Sequence, residues 1–334
     1  MWDEKQLKKL AKVVPQWYAE GHRSLPWRET KEPYHIWLSE IMLQQTRVEA
    51  VRGYYSRFLQ HLPTVEALAN ADDEQLHKFW EGLGYYSRVR NLKKAALVIM
   101  EQFGGKFPDA HEDILSLPGI GPYTAGAIGS IAFNLKTPAV DGNVLRVMAR
   151  LGADERPVDT PAFKKELTDA LAAVYPENAG DFTQGLMELG ATVCGPDKAP
   201  QCDICPCQAF CNGQKIAHRL PVRLPKKQRR IEEKTVLILS CNGKLAFRKR
   251  PEEGLLAGLW ELPNLEGKLE LQQVLAQLYD VEDVKKIVHK KHIFTHIQWN
   301  MTGLYIALRT EDSQYQWLPP ETPALPTAFK QFLE

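Results

Sequence analysis

The chain has 334 residues, 44% of them hydrophobic and 25% charged, with a formal net charge of +1, so it has room for two domains of ordinary globular composition. It has no apolar run of ~18 residues, which predicts no membrane span. The mixed-charge start MWDEKQLKKLAKVV lacks the apolar core of a secretory signal, and the balanced charge confines any nucleic-acid contact to local basic surface.

From Lys5 to Tyr18, the residues Leu7, Leu10, Ala11, Val14, Trp17 and Tyr18 recur at helical spacing and predict an amphipathic first helix. In the following loop, HRSLPWRE, Trp27 reads as a core plug or, beside Arg28, as the wall of a pocket for a flat base. Ile36 to Phe58 reads as one helix. Within it Glu40 is flanked by Ile36, Trp37, Leu38, Ile41, Met42 and Leu43. It is a carboxylate on a narrow polar side or a buried acid, and burial would raise its pKa toward neutrality. Gln44 and Gln45 are neutral donor–acceptors suited to probing base edges or filling a gap in a stack. Asp72 to Phe103 reads as two helices separated by GLGYYSR, where Tyr85 and Tyr86 stand near Arg88 and Arg90. That mixture fits nucleic-acid contact or a buried tyrosine pair.

Leu117 to Asn143 reads LPGIGPYTAGAIGSIAFNLKTPAVDGN. Gly119 and Gly121 permit a tight turn before a small-residue helix from Thr124 to about Phe133, whose free N-terminal amides suit a phosphate. Asp141 follows, with a helix–turn–helix and a capping aspartate as the plain reading. Thr160-Pro161 predicts an N-cap and first helical position, and an apolar helix from Asp181 to Val193 runs into the cysteines. Five of the six cysteines fall between Cys194 and Cys211, a pattern of metal ligation in a reducing compartment rather than of disulfides. Cys194, Cys202, Cys205 and Cys211 form C-x7-C-x2-C-x5-C, which suits an iron–sulfur cluster or a zinc. Cys207 is an additional thiol.

The glycine hairpin followed by Asp141 and four cysteines resembles the helix–hairpin–helix DNA glycosylases of the endonuclease III superfamily. WLSEIMLQQTRVE, GLGYYSRVRNL, LPGIGPYTAGAI and AVDGNVLRV resemble its adenine-specific branch. The first cysteine gap is one residue longer than the six usual there. The resemblance implies an all-α glycosylase domain over 1–214 whose Cys194, Cys202, Cys205 and Cys211 hold a 4Fe–4S cluster. It implies double-stranded DNA carrying A opposite 8-oxoguanine or G as the partner, and a cytoplasmic, DNA-associated enzyme. Glu40 matches the general acid that protonates adenine at N7, and Asp141 the carboxylate that stabilises the sugar cation. Tyr123 and Asn143 match residues assisting around the sugar. Trp27, Arg28 and Gln184 match the adenine pocket, Gln45 and Tyr85 the positions probing the duplex, and Gly119 and Gly121 a phosphate-binding hairpin. Tyr123 also stands where lyase-competent relatives carry a Schiff-base lysine, which implies a monofunctional hydrolase.

Residues 215–233 form a basic, proline-containing stretch that reads as a linker. Beyond it the period changes. Thr235–Ser240 and Lys244–Lys249 read as strands around an Asn242-Gly243 turn, Val284–His289 and Gln298–Leu308 as further strands, Leu269–Tyr279 as a helix and Thr327–Leu333 as a short terminal one. RKRPEEGLLAGLWELPN resembles the Nudix-like C-terminal domain of the same glycosylases, giving an α+β domain over 234–334. The acidic core of true Nudix hydrolases is absent. Phe294, Thr295 and His296 match the family element that contacts 8-oxoguanine, with Thr in place of Ser.

Overall fold

The computed structural model describes residues 2–196, 199–225 and 227–334. Asp197 and Lys198 of the first cysteine gap and Lys226 of the basic stretch lie outside the described residues. Among the described residues eleven α-helices come first: α1 (Glu4–Glu20), α2 (Pro33–Leu43), α3 (Val48–His61), α4 (Val65–Asn70), α5 (Asp73–Trp80), α6 (Ser87–Gln102), α7 (His111–Ser116), α8 (Pro122–Phe133), α9 (Gly142–Leu151), α10 (Pro161–Ala172) and α11 (Ala179–Thr192). The second half holds β1 (Arg230–Cys241), β2 (Lys244–Lys249), β3 (Trp260–Glu261), β4 (Asn264–Glu266), α12 (Leu271–Leu275), β5 (Val281–Ile293), β6 (Ile297–Leu308), β7 (Gln316–Leu318) and α13 (Thr327–Lys330). The chain divides into two compact units, Met1–Asn70 with Arg90–Pro225, and Ala71–Val89 with Lys226–Glu334.

In the first unit the apolar stripe of α1 is buried as its spacing requires, and Asp3 caps its first turn by accepting the Gln6 amide at 2.6 Å. The helix expected over Ile36–Phe58 is instead two. The chain leaves α2 at Gln44, takes a left-handed φ of 57° at Gln45 and resumes in α3 at Val48. No α-helix accommodates that φ, so the break is complete.

The small residues of α8 are buried along most of its length because neighbours come close on several sides. A Cβ on Gly126 would sit 2.1 Å from the Pro138 carbonyl oxygen. A chain of hydroxyls ties α8 to α11: Thr183 donates to Ser130 at 2.7 Å, and the Tyr175 and Thr183 hydroxyls lie 2.5 Å apart. Helix α11 packs on α1, α8 and α9. The core gathers α1, α9, α10 and α11 around Leu10, Val14, Val144, Met148, Phe163, Phe182 and Leu186.

The second unit is built on a mixed sheet of order β3-β2-β1-β6-β5, with β4 paired to β1 and β7 to β2. Strands β1 and β6 run parallel; the other pairs are antiparallel. Side chains alternate across the central strand, so Val236 and Ile238 pack with α13 on one face while Leu237 and Leu239 pack with Val274 of α12 on the other. Both faces are covered, which explains the continuous apolar run TVLIL. Asn242 and Gly243 turn with φ of 49° and 76°, the primed hairpin geometry their sequence suggests. Strand β1 starts five residues earlier than expected, at Arg230, because its polar first residues pair with β6 from Ile297 onward. The helix expected over Leu269–Tyr279 is confined to α12, and the terminal helix to α13.

Two glycine substitutions separate packing from propensity. Ala at Gly126 must push the Pro138 backbone aside and should lower stability by about 1–3 kcal/mol. Ala at Gly53, inside α3 with nothing within 4 Å of the added carbon, should raise it by about 0.5–1 kcal/mol. Urea unfolding of the two variants checks the opposite signs.

Candidate active site

Helix α2 is apolar on nearly every side, and Glu40 sits in its last turn at 6% exposure. It belongs to the wall of a cavity of about 350 Å³, along with Trp27, Arg28, Gln45, Tyr123, Asp141, Asn143 and Gln184. The size is right for a small flat ligand. Seven residues singled out by the sequence or by its family resemblance thus line the same cavity as Glu40. The break between α2 and α3 brings Gln44, Gln45 and Thr46 to the same wall.

Burial pushes the Glu40 carboxyl up to about 7. The Tyr123 hydroxyl, donating to its Oε2 at 2.6 Å, works against that rise, the nearby Asp141 charge adds to it, and Arg28 opposes it. Tyr123 is itself driven well above its ordinary value, first by burial and then by the two carboxyls, so it remains a neutral donor.

Asp141 is the N-cap of α9. Its Oδ1 accepts the Val144 amide at 2.7 Å and its Oδ2 the Asn143 side-chain amide at 2.6 Å. Burial raises its pKa, and these two donors with the cationic Arg146 oppose the rise. The α9 N-terminus also favours a negative charge here. One cavity thus holds an acid pushed toward its protonated form and a second carboxyl braced by donors.

Sequence reading missed what braces the second carboxyl. Arg146, at 6% exposure, donates at 2.8 Å each to Asn143 Oδ1, the Gly190 carbonyl and the Cys194 carbonyl. The fit requires glycine at 190, since a Cβ there would lie 2.6 Å from that of Asn143. Glu188 was also missed: on α11 and 2% exposed, it accepts from both Arg23 and Arg28. Burial would raise its pKa, but the two guanidinium groups hold it at about 2.

Trp27 packs edge-on against Tyr55 at 5.4 Å and also lines the cavity. Gly119 takes a φ of 77° with no room for a Cβ beside Asn91, whereas Gly121 caps α8 with an ordinary φ and open space around it. Cys194, Cys202, Cys205 and Cys211 line one pocket, clasped by Arg150, which donates to the Cys194 sulfur at 3.3 Å and to the carbonyls of Cys194, Gly195, Ala217 and Leu220. Cys207 lies in the apolar core instead.

The remaining expected residues belong to the second unit. Thr295 and His296 form the exposed tip between β5 and β6, closed by the Phe294 amide donating to the Ile297 carbonyl at 2.8 Å. Phe294 is half-buried, edge-on against Trp299 at 4.8 Å and His292 at 4.5 Å. The Tyr85 hydroxyl lies 3.1 Å from that of Thr295. Tyr85 is left-handed, with φ 47°, and exposed, while its neighbour Tyr86 is buried.

Residues 38–172 match the model of the HhH-GPD superfamily of base excision DNA repair proteins, and residues 235–334 match the NUDIX domain. The adenine DNA glycosylase of Rattus norvegicus is 34% identical over 91% of this chain and 71% of that protein. That of Arabidopsis thaliana is 37% identical over 79% of this chain, which spans about half (49%) of that protein's length. The structure of a thermostable thymine-DNA glycosylase superposes with a TM-score of 0.56 at 28% identity, covering 63% of this chain and 97% of that one. Among the described residues no helix is long and apolar enough to cross a membrane.

The raised Glu40 pKa carries a stability prediction of definite sign. The folded form holds this proton more tightly than the unfolded chain, so stability falls as pH rises from about 4.5 to about 7. Glu40→Gln removes the group that must be charged at high pH. It should therefore be more stable than the parent at pH 8, by on the order of 3 kcal/mol, and show little gain at pH 4. Chemical unfolding of both proteins at the two pH values measures the difference.

Proposed function

Because this chain belongs to the adenine DNA glycosylases, hydrolases acting on N-glycosyl bonds, we propose that it removes adenine mispaired with 8-oxoguanine or G and leaves the DNA strand intact. The observation that carries this reading is the pair Glu40 and Asp141, two carboxyls in one cavity held in different settings. Adenine leaves the helix stack to enter the cavity, since its glycosidic bond is out of reach inside a duplex. Glu40 gives its proton to adenine N7, and the base becomes a better leaving group. As the bond breaks the sugar becomes cationic, and Asp141 supplies the opposing charge. Tyr123 keeps Glu40 oriented, and Asn143 keeps Asp141 oriented. Trp27, Arg28 and Gln184 wall the base. Tyr123 carries no amine, so no Schiff base forms with the opened sugar.

Residues 1–214 carry this chemistry in the proposal, 215–233 connect, and 234–334 read the partner base through Phe294, Thr295 and His296. Gly119 and Gly121 present hairpin amides to a phosphate, and Gln45 and Tyr85 probe the duplex. The four pocket cysteines fit an iron–sulfur cluster. Their thiols line one pocket, yet among the described residues no three ligand side chains close around a single ion. Cys194, Cys202, Cys205 and Cys211 would each hold one iron of a 4Fe–4S group, which when bound fixes the loop they share. Elemental analysis of the purified protein should give four irons per chain; stoichiometric zinc in their place would overturn that assignment.

Single-turnover excision on a duplex carrying A opposite 8-oxoguanine tests the chemistry. Glu40→Gln and Asp141→Asn should each slow base release by at least about 10²-fold while keeping duplex affinity within about tenfold. Either variant retaining the parent rate removes that residue from the mechanism. Borohydride should trap no adduct with the parent enzyme; trapping in proportion to base release would show lyase chemistry instead.

A further inference from the structure

The feature of the cavity left without a role is the carboxylate beneath its wall. Glu188 does not itself line the cavity, but both of its partners, Arg23 and Arg28, do. Its Oε1 accepts the Arg23 backbone amide at 3.1 Å and Nε at 2.8 Å, and its Oε2 accepts Arg23 Nη2 at 2.7 Å and Arg28 Nη2 at 2.8 Å. Arg28 Nη1 closes the loop by donating to the Arg23 carbonyl at 3.1 Å, and its guanidinium lies over the Tyr18 ring at 5.4 Å. Arg28 is therefore held by a carboxylate, a carbonyl and an aromatic face at once.

A plain ion pair for stability would not need this arrangement. A buried carboxylate is costly to desolvate, and an apolar side chain of similar size fills such a space about as well. What the carboxylate supplies is direction. A guanidinium has a planar set of donors, and a bidentate partner fixes the plane. Glu188 grips Arg23 in this bidentate way, while Arg28 is fixed by one bond to Glu188 and a second to the Arg23 carbonyl, and both guanidinium groups belong to the cavity wall. Two arginines against one glutamate leave one positive charge at the wall.

We propose that Glu188 is the positioning residue for base selection: by clamping Arg23 and Arg28 it fixes the donors that one edge of the cavity presents to the base. This rests on the reading of the cavity as an adenine pocket. A base offering a ring acceptor at that edge, as adenine does at N1, is accepted. A base offering N–H groups there, as guanine does at N1 and the exocyclic amine, meets donors with donors and is refused. The clamp acts on the base alone and leaves the remainder of the duplex contacts unchanged.

The experiment compares the parent, Glu188→Gln, Glu188→Asp, Arg28→Met and the double variant Glu188→Gln/Arg28→Met. Each is assayed by single-turnover release of adenine opposite 8-oxoguanine, and by affinity for the same duplex carrying a tetrahydrofuran abasic analogue in place of the adenosine. Release by the parent tests the adenine reading by itself; no release there sinks that reading, whatever the variants do. Given parent activity, Glu188→Gln should slow release by about tenfold or more and leave affinity for the abasic duplex within about twofold. The double variant should be no slower than Arg28→Met, because the clamp acts through Arg28. Glu188→Asp keeps the charge one carbon further back and should recover part of the rate; it also serves as the informative variant if the Gln form does not fold. Parent-like release by Glu188→Gln, equal losses of rate and abasic-duplex affinity, or a double variant losing the product of the two single effects would each overturn the proposal.

Discussion

The structure of the first unit turns on the cost of keeping a carboxyl group out of water. Glu40 is placed in the last turn of a helix that is apolar on nearly every side, and burial raises its pKa. Its neighbours answer that cost only in part. Tyr123 donates to it but remains neutral itself, and Asp141 across the same cavity raises it further. A stronger partner, such as a direct arginine pair, would have pulled the proton off. The available cation, Arg28, is instead engaged by Glu188, whose carboxylate is held ionised at about 2. Two buried glutamates in one unit are thus shifted in opposite directions, one up to about 7 and the other down to about 2, and the difference comes from the arginines.

Asp141 is held by a different device. Helix α9 begins on it, and Asn143 and Arg146 extend that anchorage to the Cys194 carbonyl. The same guanidinium that braces the Asp141 partner therefore also holds the start of the cysteine loop. One turn further on, Arg150 clasps that loop through four carbonyls and the Cys194 sulfur. A helix that caps on the cavity carboxylate and reaches the cysteine loop at its other end sets both positions by its own rigidity.

Much of this was legible because the chemistry sits in local patterns. An acid among apolar neighbours, a glycine hairpin before a small-residue helix, and clustered thiols are all visible without a fold, and the cavity brought Glu40, Tyr123, Asp141 and Asn143 together. What escaped depends on distance along the chain. Glu188 meets Arg28 across 160 residues, and its surroundings on α11 read as an ordinary apolar helix. The break at Gln45 escaped because glutamine is not a residue that announces a left-handed turn, and no glycine or proline marks LQQTRV. In the second unit the central strands were read from their apolar runs. The polar start of β1 and the two ends of β5, beyond the expected Val284–His289, were missed, since their pairing with β6 is set by register rather than by hydrophobicity.

The most direct measurement is the ionisation of Glu40 itself. Carbon-13 labelling of the glutamate side chains, with Glu40→Gln used to assign the resonance, follows the carboxyl through a pH titration. A midpoint at about 7 is expected, well above the ordinary carboxylate range, with the Glu188 resonance unchanged down to the acid limit of folding. A Glu40 midpoint in the ordinary carboxylate range, near 4.5, would show that burial does not hold its proton and would contradict the account at its base.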